Sequence, residues 1–248
     1  MLESYEAIET PESLTSVWRY MTLDKLLQLL TSSCLWFARS DNFEDGWEGH
    51  FSPPTYETFL RSFVGPEDKI QSFWKSTHDL NLAARKCFYI NCWHINEEES
   101  AALWQIYSSF GKSVAIKTTI HRLRDALAET EMSIQGGRVR YMDYKTEPMP
   151  PLHNLFLPFL RKRRSFVFEN EFRLIYWDTS LMPNGNKSQS EDSPSGINVP
   201  IKLDEFIESV YVSPRAKPYL LEALVGLFDR YGLTRIKVIQ SDLFNGPV

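Results

Sequence analysis

The side chains from Cys87 to Trp93 constrain this chain most. Phe88, Ile90 and Cys92 fall on one side and Tyr89, Asn91 and Trp93 on the other, the two-residue period of a β-strand. Phe172, Leu174 and Tyr176 repeat the pattern. Shorter extended segments lie at Val17-Trp18-Arg19-Tyr20, Leu35-Trp36-Phe37, Val114 with Ile116, Val139 with Tyr141, Val199-Pro200-Ile201, Val210-Tyr211-Val212 and Arg235 to Ile239. Helix-period stripes separate them: Leu23, Leu26, Leu27 and Leu30 behind a Thr22 cap, Leu123 with Leu127, and Leu220 to Tyr231. Leu152, Leu155, Phe156, Phe159 and Leu160 trace another stripe, with Pro158 threatening a kink before the basic run Arg161 to Arg164. Asn96 and Glu99 have capping-box spacing ahead of Ala102, Ile106 and Tyr107. No regular βαβ rhythm emerges, which predicts an α+β fold: a mixed, largely antiparallel sheet core with helical insertions.

Residues 1–16 read as a loose lead-in, 17–240 as a single domain and 241–248 as a tail. Apolar spacing through Phe59, Leu60 and Phe63, and again through Ile70, Phe73 and Trp74, predicts a two-helix insertion at about 52–80. From Ser180 to Gly196 (about 180–197) almost nothing is apolar, the composition of a mobile loop.

Charge narrows the function. The chain carries 27 Lys+Arg against 32 Asp+Glu, a formal net charge of -5, unlike a dedicated duplex-DNA binder. No run approaches the roughly 18 apolar residues of a membrane span. An acidic start and three cysteines, Cys34, Cys87 and Cys92, without CxxC spacing fit a reducing cytoplasm. Cys87 and Cys92 sit in an apolar run and read as buried structural residues.

Glu169-Asn170-Glu171-Phe172-Arg173 is the sharpest chemical signal, because strand alternation puts both glutamates and Arg173 on one face. In a cleft, repulsion would raise one carboxyl pKa while the arginine keeps the other ionised to stabilise a developing cation. On an open surface the same pattern is only a solvated strand face. Lys162 is placed to contact phosphate, or to complement a helix C-terminus. Asp41, Glu44, Asp45 and Glu48 beside His50 offer hard oxygen ligands, but their spacing matches no calcium loop, and HExxH, P-loop and GxGxxG motifs are missing. Trp104 and Tyr107 lie three apart on one helix face, as core rings or as a stacking platform.

Taken in order, several segments resemble one family. They are Trp18-Arg19-Tyr20, Leu35-Trp36-Phe37-Ala38, Phe43-Glu44-Asp45-Gly46-Trp47-Glu48-Gly49, Cys92-Trp93, Glu99-Ser100, Trp104-Gln105-Ile106-Tyr107, Lys162 to Phe166, and Glu169, Glu171 and Arg173. The family is the bacterial domain-of-unknown-function family twenty-nine seventy-one, and the likeness spans roughly residues 17–213. The family's usual Asn-Asp-Pro-like turn is here Glu44-Asp45-Gly46. Some relatives carry abortive-infection or phage-resistance labels, which implies a defence or toxin-antitoxin setting and a protein partner from the same operon.

An aromatic-flanked Arg19 on a first short strand, with a later Glu-x-Glu entering a strand, is also similar to the ADP-ribosyltransferase layout. That likeness implies NAD as substrate, Arg19 holding the dinucleotide and Glu171 stabilising the ribosyl oxocarbenium ion. The layout's Ser-Thr-Ser strand has no match, Ser108-Ser109 standing nearest. The catalytic candidates are therefore Glu171, Glu169 and Arg19. The substrate-binding candidates are Tyr20, Asp45, Glu48, Trp93, Trp104, Tyr107, Lys162 and Arg173, and no residue is assigned to a metal.

Two other readings stay open: a non-catalytic, antitoxin-like or sensing interaction module, and a metal-dependent phosphodiesterase using Asp45, Glu48, Glu169 and Glu171. Each nucleotide reading calls for a nucleotide or nucleic-acid-derived ligand.

Overall fold

Short strands carry most of the buried aromatic side chains, and their ladder explains where a cleft can open. A computed structural model describes residues 2–3, 8–107, 111–149, 154–182 and 193–246. In chain order the strands are β1 (Leu2–Glu3), β2 (Ser16–Thr22), β3 (Cys34–Arg39), β4 (Phe88–Ile95), β5 (Ser113–Thr119), β6 (Ile134–Arg138), β7 (Arg140–Met142), β8 (Arg161–Arg163), β9 (Glu171–Trp177), β10 (Gly196–Pro200), β11 (Ser209–Val212) and β12 (Lys237–Gln240). The helices are α1 (Leu23–Ser32), α2 (Pro53–Ser62), α3 (Glu67–Ala84), α4 (Ala101–Tyr107), α5 (Ile120–Ala126), α6 (Leu203–Phe206) and α7 (Pro218–Arg230).

Among the described residues the main sheet has ten strands, running β1-β6-β9-β4-β2-β5-β11-β12, with β3 also on β4 and β10 on β3. Only β1 with β6 and β11 with β12 pair parallel in it; β7 and β8 form a separate parallel ribbon. The fold is α+β, with a mixed and mostly antiparallel sheet. Among the described residues no helix is long and apolar enough to cross a membrane.

Four of the helices, α1, α5, α6 and α7, cover one face. Leu26, Leu29 and Leu30 of α1, Leu123 of α5, Phe206 of α6 and Leu224 and Phe228 of α7 are buried in one cluster with Val17, Trp93, Ile116, Phe172 and Leu174. Burying each such side chain contributes about 1.5 to 3 kcal/mol. The stripe on α1 is rotated from expectation: Leu27 is 40% exposed and Leu29 takes its place. On the other face Phe88, Ile90 and Ile175 pack on Leu157, Phe159 and Leu160, while Trp18 and Tyr20 pack on Leu103 and Trp104.

Two expectations are corrected. Leu157–Leu160 is a single 3-10 turn rather than the end of a long helix, and the basic run continues as β8. Its apolar side chains are consumed by the second cluster, and Arg161 to Arg163 find ladder partners in β7. The helix expected from Asn96 starts at Ala101, where Ser100 Oγ accepts the Leu103 N–H at 3.3 Å. Residues 108–110, including Ser108 and Ser109, lie outside the described residues, as do 183–192 of the loop expected to be mobile.

Candidate active site

The strand β4 creates the site by having two different neighbours on one edge. Tyr89 and Ile90 pair with Arg39 and Ala38 of β3, whereas His94 and Ile95 pair with Trp18 and Val17 of β2. Between these ladders Asn91, Cys92 and Trp93 have no strand partner on that edge among the described residues. A buried backbone group needs a replacement partner. Arg19 Nη1 donates to the Cys92 carbonyl at 2.9 Å, and Asn91 Nδ2 donates to the Trp36 carbonyl at 2.8 Å. Where β2 and β3 diverge, a cleft of about 850 Å³ opens, lined by β2, β3 and β4 and by the loop after β3.

Ten of the eleven candidates line this cleft: Arg19, Tyr20, Asp45, Glu48, Trp93, Tyr107, Lys162, Glu169, Glu171 and Arg173. Trp104 does not and is corrected: it is a core ring one layer back, edge-on to Tyr20 at 5.0 Å, with Nε1 donating to Glu99 Oε2.

At the floor five charges interlock. Lys162 Nζ contacts Glu169, Glu171 Oε1 at 2.8 Å and Glu48 Oε1 at 3.1 Å. Arg173, 1% exposed, reaches Glu48 Oε2 at 2.6 Å and Glu171 Oε2 at 2.8 Å, and donates to the Phe159 carbonyl. Three carboxylates against two cations leave one negative charge when all are ionised, and none when one acid is protonated. At the rim, Arg163 pairs with Asp45 at 2.8 Å.

Glu169 is not on the strand, contrary to expectation. It ends the 3-10 turn Arg164–Glu169, and Asn170 turns the chain left-handed at φ 36°, ψ 61° before β9 begins at Glu171. The turn still delivers both carboxylates to Lys162. Their environments differ. Burial, reinforced by Glu171, pushes Glu169 up to about 8. Burial also works against the charge on Glu171, but Arg173 and its other donors outweigh it and hold that carboxyl well below the usual carboxylate range. Opposed pKa values in one cleft are what acid-base chemistry requires.

Arg19 differs from the other cations: no acid pairs with it among the described residues. Its guanidinium lies 5.8 Å from the Trp93 ring, and burial lowers its pKa, a cost that an anionic ligand relieves. Desolvation raises the thiols of buried Cys87, to about 11, and of half-buried Cys92, so neither is a poised nucleophile.

Sequence reasoning missed two residues here. Tyr141 Oη accepts the Glu171 N–H at 3.0 Å, and its register opposite Lys162 puts both on the ribbon face turned to the cleft. His94 lines the cleft with Nδ1 2.6 Å from the Glu169 carbonyl and Nε2 buried without a partner. Burial lowers its pKa, so the neutral ring donates from Nδ1 and leaves Nε2 as a free acceptor. Its position two residues beyond Cys92 was the available signal.

Among the described residues no three His, Cys, Asp or Glu side chains are grouped to hold a metal ion. The carboxylates proposed for a phosphodiesterase are instead taken by Lys162, Arg163 and Arg173.

No family model and no curated protein matches the chain, so the resemblance to family twenty-nine seventy-one rests on the residues quoted for it. Solved structures of Thermus sp. 2.9 DarT are similar at low level. The complex with ADP-ribosylated ssDNA gives a TM-score of 0.41 at 10% identity, covering 94% of this chain and 97% of that one. The complex with NAD+ gives 0.40 at 11% over 94% and 98%, and that with carba-NAD+ gives 0.41 at 12% over 94% and 97%. A likeness at this level carries no statement about what the cleft does.

Proposed function

We propose that this chain is an enzyme acting on a nucleotide-type substrate, and specifically that it cleaves NAD and transfers its ADP-ribosyl group to a nucleophile. The observation that carries this reading is the Glu169–Glu171 pair, held at opposed protonation in a cleft that also presents an arginine with no acid partner among the described residues. Arg19 is available to the diphosphate. Trp93, Tyr20 and Tyr107 supply aromatic surface for the base and nicotinamide.

The reaction breaks the bond between ribosyl C1′ and nicotinamide, whose nitrogen leaves with the electron pair. The oxocarbenium ion that develops carries positive charge toward the carboxylate floor. A nucleophile O–H then bonds to C1′, and its proton passes to ionised Glu169. That role suits a base near 8, and only with Glu169 ionised does the five-charge floor become net negative. We place the enzyme in bacterial conflict or phage defence on the strength of the family resemblance alone.

A second reading has one observation in its favour: every carboxylate at the floor already has a cation, as in a purely structural cluster within an interaction module. Release of free nicotinamide from NAD by the full chain, abolished in Glu171→Gln, supports the enzyme. No release, together with an unchanged melting temperature in NAD, rejects it in favour of the module.

A further inference from the structure

The ribbon β7–β8 has a second side, away from Tyr141 and Lys162. In its parallel register Arg140 stands directly opposite Arg161, so their side chains leave on the same face. Arg138, two residues before Arg140, lies in the same stretch and is held by Glu9 at 3.0 Å. Arg161 is only 9% exposed. Its guanidinium donates to the Leu160 carbonyl at 3.0 Å, and no carboxylate among the described residues forms an ion pair with it or with Arg140. Arg140 opposes its charge, and the groups that favour it are Tyr144 and Glu9, the latter already engaged by Arg138.

A guanidinium withdrawn from water with no ion-pair partner among the described residues, and with a second guanidinium near enough to oppose its charge, is unfavourable twice over: desolvation is poorly compensated and the like charges repel. Elsewhere this chain answers every buried cation of the cleft floor with acids; Lys162 meets three and Arg173 two. Here, among the described residues, it supplies none. The missing partner is an anion that accepts several N–H bonds at once, and the planar forks of two neighbouring arginines match the oxygens of a phosphate group.

We propose that Arg140 and Arg161, flanked by Arg138, form a phosphate-binding site separate from the cleft. It takes a phosphate monoester or diester, supplied either by a free nucleotide or by a nucleic-acid strand. Tyr144 Oη donates to the Arg161 carbonyl at 3.1 Å and fixes the backbone from which that side chain projects. The proposal does not depend on the activity assigned to the cleft.

The test titrates the full chain with inorganic phosphate at matched ionic strength and follows the melting temperature. At about 30 times its Kd, phosphate raises the midpoint by about 4 to 8 °C. Arg140→Ala, a surface change that leaves the fold intact, removes most of that rise. Arg161→Met removes all of it and melts higher than the parent in phosphate-free buffer, because an uncompensated buried charge is gone. Arg19→Ala keeps the rise.

A mixed-sequence single-stranded oligonucleotide and ADP then separate the sources. Tenfold or tighter binding of the oligonucleotide, lost in Arg140→Ala, assigns a nucleic-acid backbone, whereas equal binding of ADP and phosphate assigns a monoester. The proposal is overturned if phosphate gives no rise, if the rise survives Arg140→Ala, or if it vanishes in Arg19→Ala while persisting in Arg161→Met.

Discussion

Glu169 and Glu171 bind the same ammonium, Lys162 Nζ, yet stand on opposite sides of neutrality. The difference comes from their other partners. Glu171 has Arg173 on both oxygens and a backbone N–H engaged by Tyr141, whereas Glu169 has no second cation among the described residues and faces Glu171 across a short gap. One acid is thereby fixed as an anion and the other is left free to gain and lose a proton near physiological pH.

Glu171→Gln is expected to abolish nicotinamide release and to destabilise the protein by about 3 to 5 kcal/mol, since Arg173 and Lys162 lose their shared anion. Calorimetry and an activity assay on the same sample check both parts. Loss of stability with full activity would leave Glu171 a structural residue only.

Stability should fall as pH rises from about 4.5 to about 8 and level off above that, by on the order of 2 to 5 kcal/mol from Glu169, which is a quarter exposed. The sign is opposite to the usual carboxylate. Glu169 has a folded pKa of about 8 against an ordinary 4.5, so its contribution is fully present below the lower value and lost as pH climbs through the upper one. Glu171 titrates far below this window and stays constant within it. Melting curves of the parent and Glu169→Gln should therefore diverge with rising pH; parallel curves would contradict the placement of Glu169.

The proximity of Glu169 and Glu171 was legible in the sequence, but not for the reason that brings it about. Alternation along one strand puts residues 169 and 171 on the same side. The chain reaches the same result through a left-handed Asn170 that ends a 3-10 turn. Strands β4 and β9 were legible because two-residue periodicity survives burial on both faces. The split of β4 between two partners was not, since it depends on pairings such as Val17 with Ile95 and Ala38 with Ile90 that join distant parts of the chain. Arg161 was hidden inside a run that reads equally well as the basic end of a helix; that no acid among the described residues pairs with it is a property of packing alone.

NAD at about 100 times its Kd should raise the melting temperature by roughly 5 to 11 °C, and Arg19→Ala should remove most of the shift. Among the described residues the Arg19 side chain has the Cys92 carbonyl and the Trp93 face as partners, so its loss removes the cation offered to the diphosphate and little else. A shift undiminished in Arg19→Ala would place the dinucleotide elsewhere.

Trp104→Phe should cost stability without changing the NAD response. The indole N–H bond to Glu99 disappears, at about 1 kcal/mol, and the smaller ring leaves space behind Tyr20, yet no cleft surface changes. A weakened NAD shift at unchanged stability would restore Trp104 to the binding set.

Asn170 gives the most specific check on how the site is built. Its φ of 36° lies where a side chain costs about 1 to 2 kcal/mol and where asparagine and glycine are tolerated best. The residue also ties the turn to β4, donating from Nδ2 to the Ile95 carbonyl at 2.6 Å and accepting the Ile95 N–H at 2.8 Å. Asn170→Gly keeps the backbone and the second of these bonds. It should lose about 1 kcal/mol and preserve an activity limb that rises with pH to about 8. Asn170→Val is strained in the left-handed region, so the turn should relax and carry Glu169 out of its buried position. Its pH limb should then move down toward an ordinary carboxylate, with kcat falling more than KM rises. Both variants keep Lys162, Glu171 and Arg173, which makes the comparison a measure of where Glu169 sits rather than of the charged floor itself. Identical pH profiles for the two would mean that the turn does not set the pKa of Glu169, and the base would have to be sought elsewhere in the cleft, with His94 Nε2 the first group to test.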